Sequence, residues 1–151
     1  MFQTILFPTD FSETAGRAYE KIKQLRTECS AQKIILMNVI DEREVDSLAN
    51  LEGFYSIQLD NLRKEVSDEL TRKAEQEFEP YKEELKQLGY QVEIRIVEGI
   101  PHEEIIKIAN KEDAGLIVMG SHGKGIIQEL LIGSTSEKVI RRSKCPVLIV
   151  K

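Results

Sequence analysis

The chain is short of several things. Its 151 residues include only two cysteines, four prolines and nine glycines. No apolar run approaches the roughly 18–20 residues that a membrane-spanning helix needs. Cys29 and Cys145 lie far apart and form no CxxC pair or metal-spaced cluster. That excludes disulfide scaffolds and zinc ribbons, and it fits two small buried hydrophobes in a reducing, cytoplasmic setting. The start, MFQTILFPTD, has no basic stretch and no small-residue cleavage site, so no secretory signal is expected. Positive charge is scarce too: 21 Lys and Arg face 26 Asp and Glu, for a net charge of −5. An acidic chain is a poor general binder of nucleic acid, whose backbone demands clustered cations. No repeat or low-complexity tract occurs. The length is that of one domain of roughly 100–150 residues, and residues 1–151 are read as one.

What is present is alternation. Short aliphatic runs at 5–7, 34–40, 91–97, 116–119 and 146–150 are bounded by Gly, Pro or Asp and read as strands. Most are apolar almost without break, as in strands buried on both faces. The run at 91–97 alternates Val92, Ile94 and Ile96 with Glu93 and Arg95, as an edge strand would. Between the runs lie helical patterns. Ser12 is placed to cap the first, whose apolar positions are Ala15, Tyr19, Ile22, Leu25 and Cys29. Residues 54–88 carry the stripe Leu59, Leu62, Val66, Leu70, Ala74 and Phe78, with Pro80 expected to kink or split the helix and Gly89 to end it. Pro101 opens a helix carrying Ile105, Ile106 and Ala109, with His102 expected at its surface. Residues 134–142 form the last helix. Residues 41–53 read as a flexible loop, either a lid or a solvated surface loop. The order β-α-β-α-β-α-β-α-β predicts an α/β fold, a doubly wound open parallel sheet with helices on both faces. Ligands of such sheets bind beyond the carboxyl ends of the strands.

Those ends hold the distinctive residues. The first strand closes in Pro8-Thr9-Asp10. The fourth closes in Gly120-Ser121-His122-Gly123-Lys124-Gly125. Beyond nine intervening residues, 124–132, comes Gly133-Ser134-Thr135-Ser136, opening the last helix. A glycine turn lets backbone approach a ligand closely, and a helix start offers unpaired amides. Three hydroxyls join them, so the pair predicts an anion site suited to phosphate. It is not a P-loop, because Gly125 follows Lys124 where a Ser or Thr is required. Nor is it the dinucleotide fingerprint, which follows a first strand and runs Gly-x-Gly-x-x-Gly.

The spacing Gly120-x2-Gly123-x9-Gly133-Ser134 resembles the nucleotide-binding signature of the universal stress protein family. ILFPTDFSE at 5–13, NVIDERE at 38–44, EGIPHEEI at 98–105, IVMGSHGKG at 117–125 and SEKVIRRSKCPVLIVK at 136–151 carry the resemblance across nearly the whole chain. It is to the ATP-binding subgroup, and it implies a Rossmann-like, three-layer fold with five parallel strands in the order 3-2-1-4-5. It also implies that Pro8, Thr9 and Asp10 sit near ribose and phosphates. Val39 and Met119 would face adenine, Gly120 to Ile126 would wrap the ribose and α-phosphate, and Gly133 to Ser136 would hold the terminal phosphates. ATP with Mg2+ or Mn2+ is the implied ligand, the cation being held by phosphate oxygens rather than by a protein cage. A homodimer through residues 147–150 is implied as well, which agrees with the tendency of an apolar edge strand to pair. Lys124 either reaches a phosphate or is a solvated loop charge. His122 is either a base with a substrate proton in reach or a loop residue beside the ribose.

No nucleophile-base-orienter set is evident, so a regulatory nucleotide sensor or switch with slow or partner-dependent hydrolysis is expected. An ATP-using phosphotransferase or ATPase, and a nucleotide-independent interaction module, are the alternatives. Charge is uneven: residues 41–90 hold fourteen acidic and seven basic residues, net −7, while residues 120–151 hold six basic and two acidic, net +4. The segment expected to bind phosphate is locally basic.

Overall fold

β1 (Thr4–Pro8) is buried at Ile5, Leu6 and Phe7, and successive side chains point to opposite faces. Ile5 and Phe7 therefore enter one core while Leu6 enters another. The computed structural model describes residues 2–52, 59–123 and 132–151. Five parallel strands form one sheet in the order β3-β2-β1-β4-β5, with β2 (Lys33–Asp41), β3 (Gln91–Gly99), β4 (Leu116–Gly120) and β5 (Val147–Val150). β1 pairs with β2 from Thr4 opposite Lys33 to Pro8 opposite Met37. It also pairs with β4, so their carboxyl ends open side by side.

Helices cover both faces. α1 (Glu13–Cys29) is capped by Ser12, whose Oγ accepts from the Ala15 amide at 3.4 Å. Its Ala18, Tyr19, Ile22 and Leu25 fill the first core, together with Phe78 and Leu85 of α3 (Leu59–Gln87). α4 (Pro101–Lys111) and α5 (Ser134–Arg142) fill the second core through Ile105, Ile108, Ala109 and Val139. Gly89 takes a φ of 86° and ends α3, with its amide on the Lys86 carbonyl and the Tyr90 amide on that of Leu85. Cys29 packs against the first core and Cys145 against the second, so the sheet lies between the two thiols. Among the described residues no helix is long and apolar enough to cross a membrane.

Three expectations are corrected. The described part of 41–53 is not a loop: Glu42–Glu52 form α2, whose start is fixed by Asp41 accepting the Arg43 amide at 3.0 Å. Val45 and Ala49, one turn apart, are its fully buried contacts. Pro80 does not split α3, which runs unbroken through it. Pro80 and Gln76 are both exposed, so water can satisfy the carbonyl that the missing amide leaves. The third correction is His102, which is buried rather than at the surface, packed where α4 meets α5. β5 lies at the sheet edge, as the strand order 3-2-1-4-5 implied, and all four of its residues are half-buried.

Arg142 has only donors, so its contact to His102 Nε2 at 3.4 Å makes that nitrogen an acceptor and the imidazole neutral. Burial lowers the His102 pKa from its usual 6.5, and Lys138, Arg142 and Arg43 push the same way against Glu103. A histidine held neutral stabilises the fold fully above its unfolded pKa. That contribution is lost as pH falls through the unfolded value, because the unfolded chain takes up a proton the native state resists. The protein is therefore expected to lose more stability between about pH 7 and pH 5 than His102→Gln does, measured by urea unfolding. Equal losses in the two proteins would show that His102 does not carry this acid sensitivity.

Candidate nucleotide site

A cavity of about 550 Å³ lies over the carboxyl ends of β2, β1 and β4. Its floor begins with the turn after β1. The Thr9 amide donates to the Met37 carbonyl at 2.8 Å, and Asn38 Nδ2 donates to the Thr9 carbonyl at 2.8 Å, so β2 holds the turn from beside it. Thr9 Oγ1 accepts the Phe11 amide at 2.9 Å, and Asp10 Oδ1 accepts the Ser12 amide at 3.0 Å. Phe11 sits between these bonds at a φ of 61°, a left-handed conformation that costs a non-glycine residue about 1–2 kcal/mol. Its ring is anchored edge-on against Phe78, with centroids 4.9 Å apart. The strained turn is thus pinned to α3, and it presents Asp10 to the cavity.

Across the cavity, β4 ends in Gly120. A Cβ there would lie 2.6 Å from Thr14 Oγ1 and 2.8 Å from the Ala15 nitrogen, so only glycine lets α1 approach this strand. Thr14 Oγ1 donates to the His122 carbonyl at 2.6 Å, and Ser136 Oγ donates to the Gly120 carbonyl at 3.0 Å. α1, β4 and α5 meet through these two bonds. At Gly123 a Cβ would come within 2.6 Å of Asp10 Oδ2. The two turns therefore touch.

The start of α5 completes this side. Gly133 is its N-cap and provides no side-chain cap. The first amides of a helix have no acceptor within the helix. Those of Ser134, Thr135 and Ser136 therefore offer donors at the cavity wall, at the positive end of the helix dipole. The Ser136 hydroxyl proton is already used on Gly120, which leaves the hydroxyls of Ser134 and Thr135.

Of the residues singled out from sequence, Pro8, Thr9, Asp10, Val39, Met119, Gly120, His122, Gly123, Gly133, Ser134, Thr135 and Ser136 line the cavity. Ser121 does not. It is buried behind His122, with Oγ 3.0 Å from Nδ1 of that ring. This hydroxyl–imidazole pair is a nucleophile and base in kind, but the hydroxyl is walled off from any ligand in the cavity. Lys124, Gly125 and Ile126 lie outside the described residues.

Sequence reasoning missed two walls. α2 contributes Arg43 and Glu44, and α3 contributes Leu70, Lys73, Ala74 and Glu77. The second set is spaced at i, i+3, i+4 and i+7, one face of a helix; Leu70 and Ala74 belong to the apolar stripe read as a core face, and Lys73 and Glu77 lie beside it. Arg43 grips Asp41 with Nε at 2.9 Å and Nη2 at 2.5 Å, and these bonds hold the Asp41 carboxyl below its usual pKa. The described lining carries the carboxylates of Asp10, Asp41, Glu44 and Glu77 against the cations Arg43 and Lys73. Among the described residues no group of three or more His, Cys, Asp or Glu side chains could hold a metal ion by itself.

Known proteins share this architecture. Universal stress protein MJ0577 of Methanocaldococcus jannaschii is 44% identical over 156 residues, spanning 100% of this chain and 96% of its own. A solved structure of MJ0577 superposes with a TM-score of 0.87, covering 100% of this chain and 96% of that one. Universal stress protein YxiE of Bacillus subtilis is 30% identical over 151 residues, covering 100% of both chains. A universal stress protein solved in complex with cAMP is 26% identical, with a TM-score of 0.58 and coverage of 99% and 96%. The profile of the universal stress protein family matches residues 1–151, and the chain belongs to that family.

Proposed function

We propose that the chain is a single ATP-binding domain of stress-response regulation, a nucleotide sensor or switch rather than a dedicated enzyme. One observation carries the reading: the uncapped start of α5 and the Asp10–Gly123 contact line one cavity of about 550 Å³. That size suits a small organic ligand, since such sites run to about 300–1,000 Å³. Amides at a helix start recognise phosphate. Asp10, an acceptor when ionised, suits the ribose hydroxyls or a cation on the phosphates. Val39 and Met119 give the base an apolar bed. The relative solved with cAMP supports a purine nucleotide as the ligand class. Four carboxylates against two cations in the described lining favour a triphosphate that arrives with Mg2+ or Mn2+. That cation would supply charge neutralisation, with Asp10 the lining carboxylate closest to the phosphate-binding turn.

Slow turnover follows from the same residues. Ser134 and Thr135 have no base among their described partners, and the Ser121 hydroxyl is enclosed. β5 is an unpaired sheet edge among the described strands, and Ile140 nearby in sequence is 42% exposed, so we assign that edge to a second copy of the chain. A cytoplasmic location agrees with the two cysteines kept apart by the sheet.

Mass spectrometry of nucleotide released from protein purified without added ligand tests the reading. ATP or AMP is expected, and calorimetry should show Asp10→Ala binding Mg-ATP about 10–100-fold more weakly. Empty protein that gives no heat with Mg-ATP would overturn it. Light scattering on the same preparation should report twice the 17.3 kDa chain mass, and a monomer would remove the dimer.

A further inference from the structure

α2 forms a wall of the cavity, yet its apolar hold is slight. Among its described side chains, Val45 and Ala49 are the fully buried ones, and Leu48 is 36% exposed. Its other fastening is polar. Arg63 of α3 donates from Nε to Asp46 Oδ1 of α2 at 2.6 Å, and from Nη2 to Glu98 Oε1 of β3 at 2.6 Å. Ser67, one turn along α3, donates to the second oxygen of the same Glu98 at 2.5 Å. One guanidinium thus ties a helix that lines the cavity to an edge strand of the sheet. The planar fork of arginine suits this bridge, because its donors point in fixed, different directions, whereas a lysine ammonium is a point charge.

We propose that Arg63 is a positioning residue that fastens α2 over the cavity and thereby sets how fast a bound nucleotide leaves. The inference rests on the nucleotide reading for its ligand, though not for the clamp itself. Arg63 does not line the cavity, so it acts through Asp46 and the placement of α2, which brings Arg43 and Glu44 to the wall. Opening of α2 alone is a local event that leaves the two cores intact. Its loss is therefore expected to appear in the dissociation rate more than in the association rate or the global melting point. Exposed ion pairs are individually weak, so a two-armed clamp predicts changes on the order of 3–10-fold rather than a total loss.

The test compares the wild type with Arg63→Met, Arg63→Lys and Asp46→Ala. Alanine favours the helical state, so any loosening of α2 in Asp46→Ala comes from the lost bond and not from helix propensity. Hydrogen exchange is read at the amides of residues 42–52 in ligand-free protein. Stopped-flow release of a fluorescent N-methylanthraniloyl ATP with Mg2+ is read alongside. Expected are faster exchange confined to α2 and faster release, both about 3–10-fold, in Arg63→Met and in Asp46→Ala. The double variant should show no further change, and Arg63→Lys only a partial recovery. Unchanged α2 exchange overturns the proposal. So does faster exchange spread over the whole chain with a fallen melting point, which would mark a general structural role. Faster α2 exchange with unaltered release overturns the link to the ligand. If the wild type binds no ATP analogue, the nucleotide reading fails with it, while the exchange data still decide whether Arg63 holds α2.

Discussion

Gly120→Val is expected to lower the thermal midpoint by roughly 6–12 °C, the equivalent of about 3 kcal/mol of overpacking in a domain of this size. A Cβ at position 120 falls 2.6 Å from Thr14 Oγ1 and 2.8 Å from both the Ala15 nitrogen and the Thr14 carbonyl carbon. Two of these three atoms are backbone in the first turn of α1, which cannot rotate aside as a side-chain end can. Relief requires α1 to move away from β4. That movement would break the bond from Thr14 Oγ1 to the His122 carbonyl, and it would disturb the Ser136 bond to Gly120 itself. Stability and ligand binding should therefore fall together. Gly16→Ala is the control, since nothing lies within 4 Å of a Cβ there and the residue is inside α1. Removing a helical glycine should stabilise by roughly 0.5–1 kcal/mol. Circular dichroism melts read both. If Gly120→Val melts within about 2 °C of the wild type, α1 and β4 are not as tightly opposed as these distances require.

These two glycines also show what was legible in the sequence and what was not. The turn after β4 could be found because a glycine directly after a buried aliphatic run has a local meaning. So could the cap at Ser12, the stop at Gly89 and the strand cores, each of which depends on neighbours in the chain. α2 was hidden. Its buried face is essentially Val45 and Ala49, too short a stripe to stand out among five charged residues at 41–46, and it becomes a helix by packing on α3 and by the Asp41 cap. His102 was misplaced for a related reason. Its position at the start of α4 says nothing of α5, which covers it from 40 residues away through Arg142. β5 has the composition of a central strand, and its expected place at the edge came from the strand order that the family resemblance implied rather than from its own residues. The site shows the same division. Its glycines and hydroxyls were visible as a spacing, whereas Asn38, Arg43 and the α3 wall enter through contacts between elements.

Phe78→Ala is expected to cost about 3–5 kcal/mol, a large part of the 5–15 kcal/mol that typically holds a domain together. Phe78 is fully buried in the core that β1, α1 and α3 share. The expected consequence reaches the site as well as the core. Phe78 is the edge-on partner of Phe11, and Phe11 holds the left-handed φ that presents Asp10 to the cavity. The Thr9 and Asp10 hydrogen bonds remain, but the nearer aromatic anchor of Phe11 is gone, which leaves the Tyr81 ring with its centroid 6.4 Å away. Phe78→Leu separates the two effects, because leucine keeps most of the volume and loses the ring. It should fold cooperatively with a modest fall in midpoint. Its affinity for Mg-ATP should drop about 2–10-fold, the value of an aromatic pair, through a loosened Asp10 turn. Titration calorimetry on the folded Phe78→Leu protein reads this directly. Wild-type affinity in that variant, together with a lowered midpoint, would mean that Phe78 supports the core alone and that the turn after β1 holds its shape without α3.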